Sequence, residues 1–310
     1  MSACLVCGCR RWAPLFTSPD RLYRTTAKEF AVVRCLECGL ARIHPQPAAE
    51  ELRRYYPDDY WFAPDRSAAS RIAEAYRRLV LRDHVRFVVR ALARGPLLDV
   101  GCGGGLFLGM MRERGYTVVG LDSSREAAAI AWKRQRAPAV CGDLADAPLR
   151  PGTFAGITMF HVLEHLPDPR AYLSAARELL APEGRLVVQV PNAASWQFRL
   201  LGRRWSGVDV PRHLFDFRGS DLEKLLESCG MQVVRRKYFS LRDNPAGLAS
   251  SLAPGLDPMA RRVRRVSESS AARLAKDLAY LSLAVAALPF TLAEAACGAG
   301  STVMMEARKR

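Results

Sequence analysis

The sequence predicts an α/β chain built on a parallel sheet and preceded by a small cysteine-bearing head. Three observations predict it. From residue 97 onward, short apolar runs alternate with helix-like segments. Glycines fall at 101, 103, 104 and 105, directly after the run Leu97-Leu98-Asp99-Val100. Two Cys-x-x-Cys pairs, Cys4 with Cys7 and Cys35 with Cys38, stand in the first forty residues. Alternating strands and helices form a parallel sheet covered by helices. Glycines after a strand let the backbone turn tightly and let a ligand approach it. Paired Cys-x-x-Cys units have metal-ligand spacing.

Composition sets the bounds. The 310 residues allow one large domain with an appendage, or two domains, and 49% hydrophobic content excludes a wholly disordered chain. The net charge of +15 favours an anionic partner: nucleic acid, a phosphorylated or nucleotide-linked substrate, or an anionic membrane surface. An arginine-rich composition without such a partner is the bland alternative. Four of the nine cysteines lie in paired units, which suggests metal and a reducing compartment rather than disulfides. Met1-Ser2-Ala3 leads straight into Cys4 without a signal-peptide pattern, so a cytoplasmic location is expected, at most peripheral at the inner membrane surface.

The head is expected over residues 1–62. Cys4, Cys7, Cys35 and Cys38 supply four thiolates, enough for a closed tetrahedral Zn2+ site with a structural role. Gly8 and Gly39 follow the two pairs and permit tight turns; Cys9 is read as a spare thiol. Residues 29–35 read as a strand feeding the second pair. Tyr55, Tyr56, Tyr60 and Trp61 form an aromatic cluster expected to pack the head onto the next domain.

That next domain is expected over 63–243. Residues 67–93 have helical apolar spacing. The strand at 97–100 ends in the glycine turn, and a helix begins at Leu106. The free N–H groups of a helix start complete a nucleotide-type pocket. A dinucleotide fingerprint would read G-x-G-x-x-G; here the glycines differ, and Asp99 suits a cationic amine better than a pyrophosphate. A second strand, 116–122, ends in Asp122, placed to accept two ribose hydroxyls. A third, 139–141, leads to Asp143 and Leu144.

This ordered set resembles the S-adenosylmethionine site of the class I (Rossmann-like) methyltransferases. The resemblance implies a seven-stranded sheet in which Asp99, Gly101, Cys102, Gly103, Gly104 and Gly105 line the methionine moiety. It puts Asp122 at the ribose and Asp143 and Leu144 at the adenine, with Ser123 and His161 also beside the cofactor. With the head, and with the pattern CGL…P.P…YY…Y that follows it, the chain resembles a bacterial methyltransferase group often associated with saccharide modification.

The fourth strand, 154–160, carries Ala155-Gly156 where many relatives have an acid, and runs into His161-x-x-Glu164-His165. Three readings stand. A histidine removes a proton from the acceptor as methyl transfers; or His161, Glu164 and His165 bind a divalent metal with His213; or the histidines shape a lid over the cofactor. The E-x-x-E-H segment of ubiquinone-type O-methyltransferases is similar, with His161 in place of its first Glu. Asp168 caps a helix to 180, and a fifth strand, 185–190, precedes Asn192, expected on the substrate side. The basic aromatic stretch 199–205 leads to Pro211-Arg212-His213-Leu214. In the relatives that segment faces the substrate, so Arg212 is expected to meet an anionic acceptor group and His213 to be a second candidate base, unless the segment is a structural lid.

A helix at 220–229 and a strand at 232–239 follow. The strand at 301–308 fits the antiparallel seventh strand, residues 299–310 closing the sheet. Between them, 244–298 is expected to be a helical insertion. Its uncharged stretch 278–293 falls short of a bilayer span of ~17–25 residues and is interrupted by Pro289. The stretch 261–293 suits an anionic membrane surface, an oligomer interface, or burial against its own domain.

The leading function is methyl transfer from S-adenosylmethionine to a small or saccharide-type acceptor: a sugar, a nucleotide sugar or a lipid-linked glycan. The second reading is an rRNA base methyltransferase using the ribbon and basic surface, though no Asn-Pro-Pro-Tyr-type element follows the fourth strand. The third is a non-catalytic cofactor-binding scaffold.

Overall fold

The computed structural model describes residues 2–56 and 68–310, and these divide into two units, each with its own sheet. The head unit gathers 2–56, 191–222 and 243–303; the sheet unit gathers 68–190, 223–242 and 304–310.

In the head unit, β1 (Trp12–Pro19), β2 (Glu29–Cys35) and β3 (Ala41–Ile43) form an antiparallel meander. A short strand from much later in the chain, β9 (Phe215–Asp216), pairs with β3. The inward positions Phe30, Val32, Ala41 and Ile43 bury with Tyr55, Trp205, Val208 and Val210. Alternation along β2 is the period of a half-buried strand. The helices of this unit are α1 (Ala49–Arg53), α6 (Trp196–Leu201), α8 (Asn244–Leu252), α9 (Pro258–Val263), α10 (Ser270–Ala286) and α11 (Leu288–Ala296).

The sheet unit carries α2 (Ala68–Ala91), β4 (Pro96–Val100), α3 (Leu106–Arg112), β5 (Thr117–Asp122), α4 (Arg125–Gln135) and β6 (Ala139–Cys141). Then come β7 (Phe154–Phe160), α5 (Pro169–Leu179) and β8 (Leu180–Pro191). The remaining elements are α7 (Gly219–Ser228), β10 (Met231–Lys237) and β11 (Thr302–Lys309), and the division between units falls within α7 and near the start of β11. The sheet order is β10-β11-β8-β7-β4-β5-β6. The pairs of β4, β5, β6, β7 and β8 are parallel, and β11 runs antiparallel to β10. This is the seven-stranded Rossmann-like sheet that the resemblance implied. Ser124 and Asp168 cap α4 and α5 by accepting from Ala127 and Ala171 N–H, at 3.2 Å each. Leu97, Leu108, Met111, Val88 and Val187 sit in the core of this unit.

The division differs from the expected boundaries at 62 and 243. Residues 191–222 fold with the head because they supply β9 and the buried Trp205, Val208 and Val210. The helical insertion belongs to the head unit as well. Strands β1 and β3 carry too little alternation to announce themselves in the sequence. The expected cluster of Tyr60 and Trp61 lies outside the described residues; Tyr55 packs edge-on against Phe30, with centroids 5.9 Å apart. Pro289 falls in the first turn of α11, where a missing N–H costs nothing. The run Ser270–Ala296 is therefore nearly continuous, and is long and apolar enough to cross a membrane by length and composition.

Candidate cofactor and catalytic site

The glycine turn leaves β4 with Gly101 at φ 71°, Gly103 at 52° and Gly105 at 75°. These left-handed angles favour glycine. A Cβ at Gly101 would stand 2.6 Å from a Val162 methyl, and one at Gly105 2.7 Å from the Ala131 Cβ, so either position is closed to larger residues. Gly101 and Cys102 donate their N–H groups to the Leu121 carbonyl, tying the turn to β5.

Two buried carboxyls frame the turn. Asp99 accepts a 2.6 Å hydrogen bond from the Thr158 hydroxyl. Burial pushes its carboxyl up to about 7, and the nearby Asp122 charge adds to the effect. Asp122, at the end of β5, accepts from Gly103 N–H and Ser124 N–H, at 2.8 Å each. Burial raises it too, opposed by those two backbone donors. A carboxylate offers about four lone-pair sites, so two backbone bonds leave acceptor capacity for a diol. Burial beside both acids pushes the Cys102 thiol up, keeping it protonated and inert. Beyond β6, Asp143 accepts from the Tyr172 hydroxyl at 2.6 Å and from Ala145 N–H at 2.9 Å. Leu144 is buried and Ser123 exposed. A glycine cradle, a half-neutral acid and an anchored second acid fit a ligand carrying an amine and a ribose.

His161 leaves β7 in the left-handed region, at φ 57°. That conformation is uncommon for a residue with a Cβ and marks functional positions. Its backbone N–H bonds the Gln189 carbonyl at 2.9 Å. Its Nδ1 stands 3.0 Å from Glu164 Oε1, and its Nε2 2.8 Å from Gln189 Nε2. The Nδ1–H donates to the carboxylate, so the proton sits on Nδ1 and Nε2 accepts from the Gln189 amide N–H. Glu164 and Gln189 are fully buried, whereas the His161 side chain keeps 24% of its surface. The imidazole is thus oriented from both sides and still reachable. Thr158, Tyr172 and Gln189 were missed by sequence reasoning. Gln189 was detectable as the one polar residue in the apolar run 186–190.

In the head unit, Cys4, Cys7, Cys35 and Cys38 bring their sulfurs within 4.8 Å of one another. Cys4 and Cys38 are 3.4 Å apart and Cys7 and Cys35 3.6 Å. Four thiolates around one ion at ~2.3 Å would stand ~3.8 Å apart, so the cluster fits a zinc ribbon. The knuckles match: Gly8 N–H bonds the Cys4 carbonyl at 2.9 Å, and Gly39 N–H the Cys35 carbonyl at 3.0 Å. Both glycines have positive φ. Backbone N–H groups of Glu37 and Cys38 outweigh burial and bring the Cys35 thiol down to about 6. Cys9 lies outside the cluster, its sulfur 3.3 Å from Arg11 N–H.

The remaining expectations change. Arg212 is fully buried and faces Asp20 through two bonds of 2.8 and 3.1 Å, and Asp209 at 2.7 Å. Its guanidinium also lies over the Tyr23 ring, 4.4 Å from the centroid. Two carboxylates already neutralise it, which corrects its expected role as a receptor for an anionic acceptor group. Asn192 is also committed: its amide donates to the Gly300 carbonyl at 2.8 Å and accepts from Ala194 N–H at 3.1 Å. This corrects its assignment to the substrate and makes it a fastener of the turn after β8. His213 is buried, and its Nδ1 donates to the Gly207 carbonyl at 2.8 Å.

Residues 72–236 match a family described as a methyltransferase domain. A ubiquinone biosynthesis O-methyltransferase from Pseudomonas paraeruginosa (strain DSM 24068 / PA7) is 30% identical over 178 residues, covering 54% of this chain and 76% of the relative. One from Cronobacter sakazakii (strain ATCC BAA-894) is 30% identical over 173 residues, covering 52% of this chain and 70% of the relative. The crystal structure of a putative sarcosine dimethylglycine methyltransferase from Galdieria sulphuraria superposes with a TM-score of 0.51 at 14% identity, over 77% of this chain and 88% of the other. That likeness concerns the fold.

Proposed function

This chain belongs to the class I S-adenosylmethionine-dependent methyltransferases, and from that premise we propose that it methylates a hydroxyl of a small, saccharide-type acceptor. The observation that carries the reading is the His161 imidazole held between Glu164 and Gln189. S-adenosylmethionine, when bound, supplies an electrophilic sulfonium methyl. Asp99 in its ionised form meets the amine, Asp122 accepts from the ribose, and Gly101 to Gly105 let the backbone lie close. The protein's work is to hold donor and acceptor in line and to remove the acceptor proton. His161 Nε2 takes that proton once the Gln189 amide yields, and the Glu164 carboxylate stabilises the imidazolium. His213 is a second candidate base. The O-methyltransferase relatives support an oxygen acceptor. The head unit holds Zn2+ through its four cysteines in a structural role. The net charge favours an acceptor with phosphate, such as a nucleotide sugar or a lipid-linked glycan.

The test is transfer of labelled methyl into a bacterial extract split into nucleotide sugars, lipids and RNA. Label in the sugar or lipid-linked fraction supports the proposal. Label in RNA replaces it with a base methyltransferase, and its RNA affinity should then fall steeply with salt. No label despite cofactor binding in every fraction points to a scaffold.

A further inference from the structure

Helices α10 and α11 have their polarity inside out. The residues at 280, 284, 287, 291 and 294 form one stripe, turned toward the head unit. Of these, Ala284, Ala287, Thr291 and Glu294 are buried, and Tyr280 is half-buried. The Tyr280 hydroxyl bonds Ser250 Oγ at 2.9 Å and the Ala246 carbonyl at 3.1 Å, both on α8. Glu294 accepts from the Gln197 amide at 2.7 Å and from Ser301 N–H at 3.1 Å. The opposite stripe, Leu274, Leu278, Leu281, Val285 and Leu292, is 42–60% exposed. Only 22% of the most apolar window in this run is buried. A helix on a water-facing surface shows the reverse arrangement, with leucines inward and polar groups outward. Here the polar and small side chains face protein and the leucines face outward, as in helices that meet lipid.

Charge identifies the occupant. From Leu278 to Ala293 the run has no charged residue, whereas residues 261–277 carry six basic side chains against the two acids Glu268 and Asp277, and Arg273 and Lys276 both pair with Glu268; the stretch is basic overall. A chain of net charge +15 repels a second copy of itself and is drawn to an anionic bilayer. We propose that the outer face of α10–α11 is a docking surface for an anionic lipid bilayer, lying in the headgroup–acyl boundary with its basic end at the headgroups. Only one face is apolar, and the other is hydrogen-bonded within the head unit, so the pair lies along the surface rather than crossing it. The inference is independent of the acceptor's identity.

The test is co-sedimentation of the whole 310-residue chain, zinc-loaded, with vesicles of phosphatidylcholine plus phosphatidylglycerol, against phosphatidylcholine alone. Binding to the mixed vesicles, weakened by salt, is expected. Replacing Leu278, Leu281 and Val285 together by serine should weaken it about a hundredfold, with the far-ultraviolet circular dichroism unchanged. In case that variant does not fold, an L281W variant gives a second readout: brominated lipid should quench its added indole. Absence of both vesicle binding and quenching overturns the proposal. So does a concentration-dependent dimer lost with the serine substitutions and indifferent to vesicles, which would make the occupant a second copy.

Discussion

His161 Nδ1 lies 3.0 Å from the Glu164 carboxylate while Gln189 reaches the opposite ring nitrogen at 2.8 Å, so one imidazole is gripped at both ends by buried polar groups. A ring fixed in this way, on a backbone with φ of 57°, is oriented for proton transfer before any ligand arrives. His161→Ala is expected to lower kcat by about 10²–10⁴-fold with little change in cofactor Kd. Glu164→Gln keeps an acceptor for Nδ1 but removes the charge, and should fall between wild type and His161→Ala. Steady-state kinetics beside calorimetry separates the two readouts. His213→Ala should show the same split if it is the base instead. Full turnover in both histidine variants removes both from proton transfer.

Asp20 and Arg212 form a buried ion pair reinforced by Asp209. Asp20→Asn leaves the guanidinium partly uncompensated and should cost about 3–5 kcal/mol, read as a lowered denaturation midpoint. Burial alone would raise Asp20, but the Arg212 hydrogen bonds and charge outweigh it, and the carboxyl is held below its ordinary 3.8. A depressed carboxyl contributes stability above its unfolded value and loses it as pH falls through the folded one. The pair should therefore fail in acid, below about pH 4. An equal midpoint for Asp20→Asn and wild type would contradict the clamp.

Asp99 has the opposite sign. Its carboxyl, raised to about 7 by burial, stays protonated in the folded chain where the unfolded chain would ionise it. Its contribution to stability is complete below the unfolded value and is lost as pH rises through about 7. Cofactor binding through an amine needs the ionised form. S-adenosylmethionine affinity should then rise up to about tenfold per pH unit approaching pH 7 and level off above it. Asp99→Asn should weaken binding and flatten this dependence; a dependence unchanged by the substitution would assign it to another group.

Four sulfurs within 4.8 Å predict a closed metal site. Metal analysis of the purified chain should find close to one zinc per chain, and Cys35→Ser should lose it and unfold the β1–β3 meander, visible as proteolysis of the head. Chelation should act likewise. A folded, metal-free wild-type chain would rule the ribbon out.

The sheet unit was largely legible because its signals are local. The glycine turn, the acids ending β4 and β5, and the caps Ser124 and Asp168 each act over a few residues. The head unit was only half legible. Its cysteine spacing is local, but β9 comes from residue 215 to pair with β3, and nothing in Phe215-Asp216 announces a partner so far back in the chain. Arg212 misled for the same reason. An arginine beside a histidine looks like a receptor for anions until Asp20, remote in sequence, is seen to neutralise it. Gln189 was missed because strand reading weighs its apolar neighbours and passes over the polar exception.

The turn at 101–105, with its two framing acids, is proposed to hold S-adenosylmethionine for methyl transfer. Calorimetric titration of S-adenosylmethionine into wild type and Asp122→Ala tests it most directly. A single saturable site is expected in wild type, with loss of binding in Asp122→Ala and unchanged circular dichroism. Equal affinity in the two proteins would remove Asp122 from the site, and no binding to the wild-type chain would rule the glycine turn out as a cofactor site.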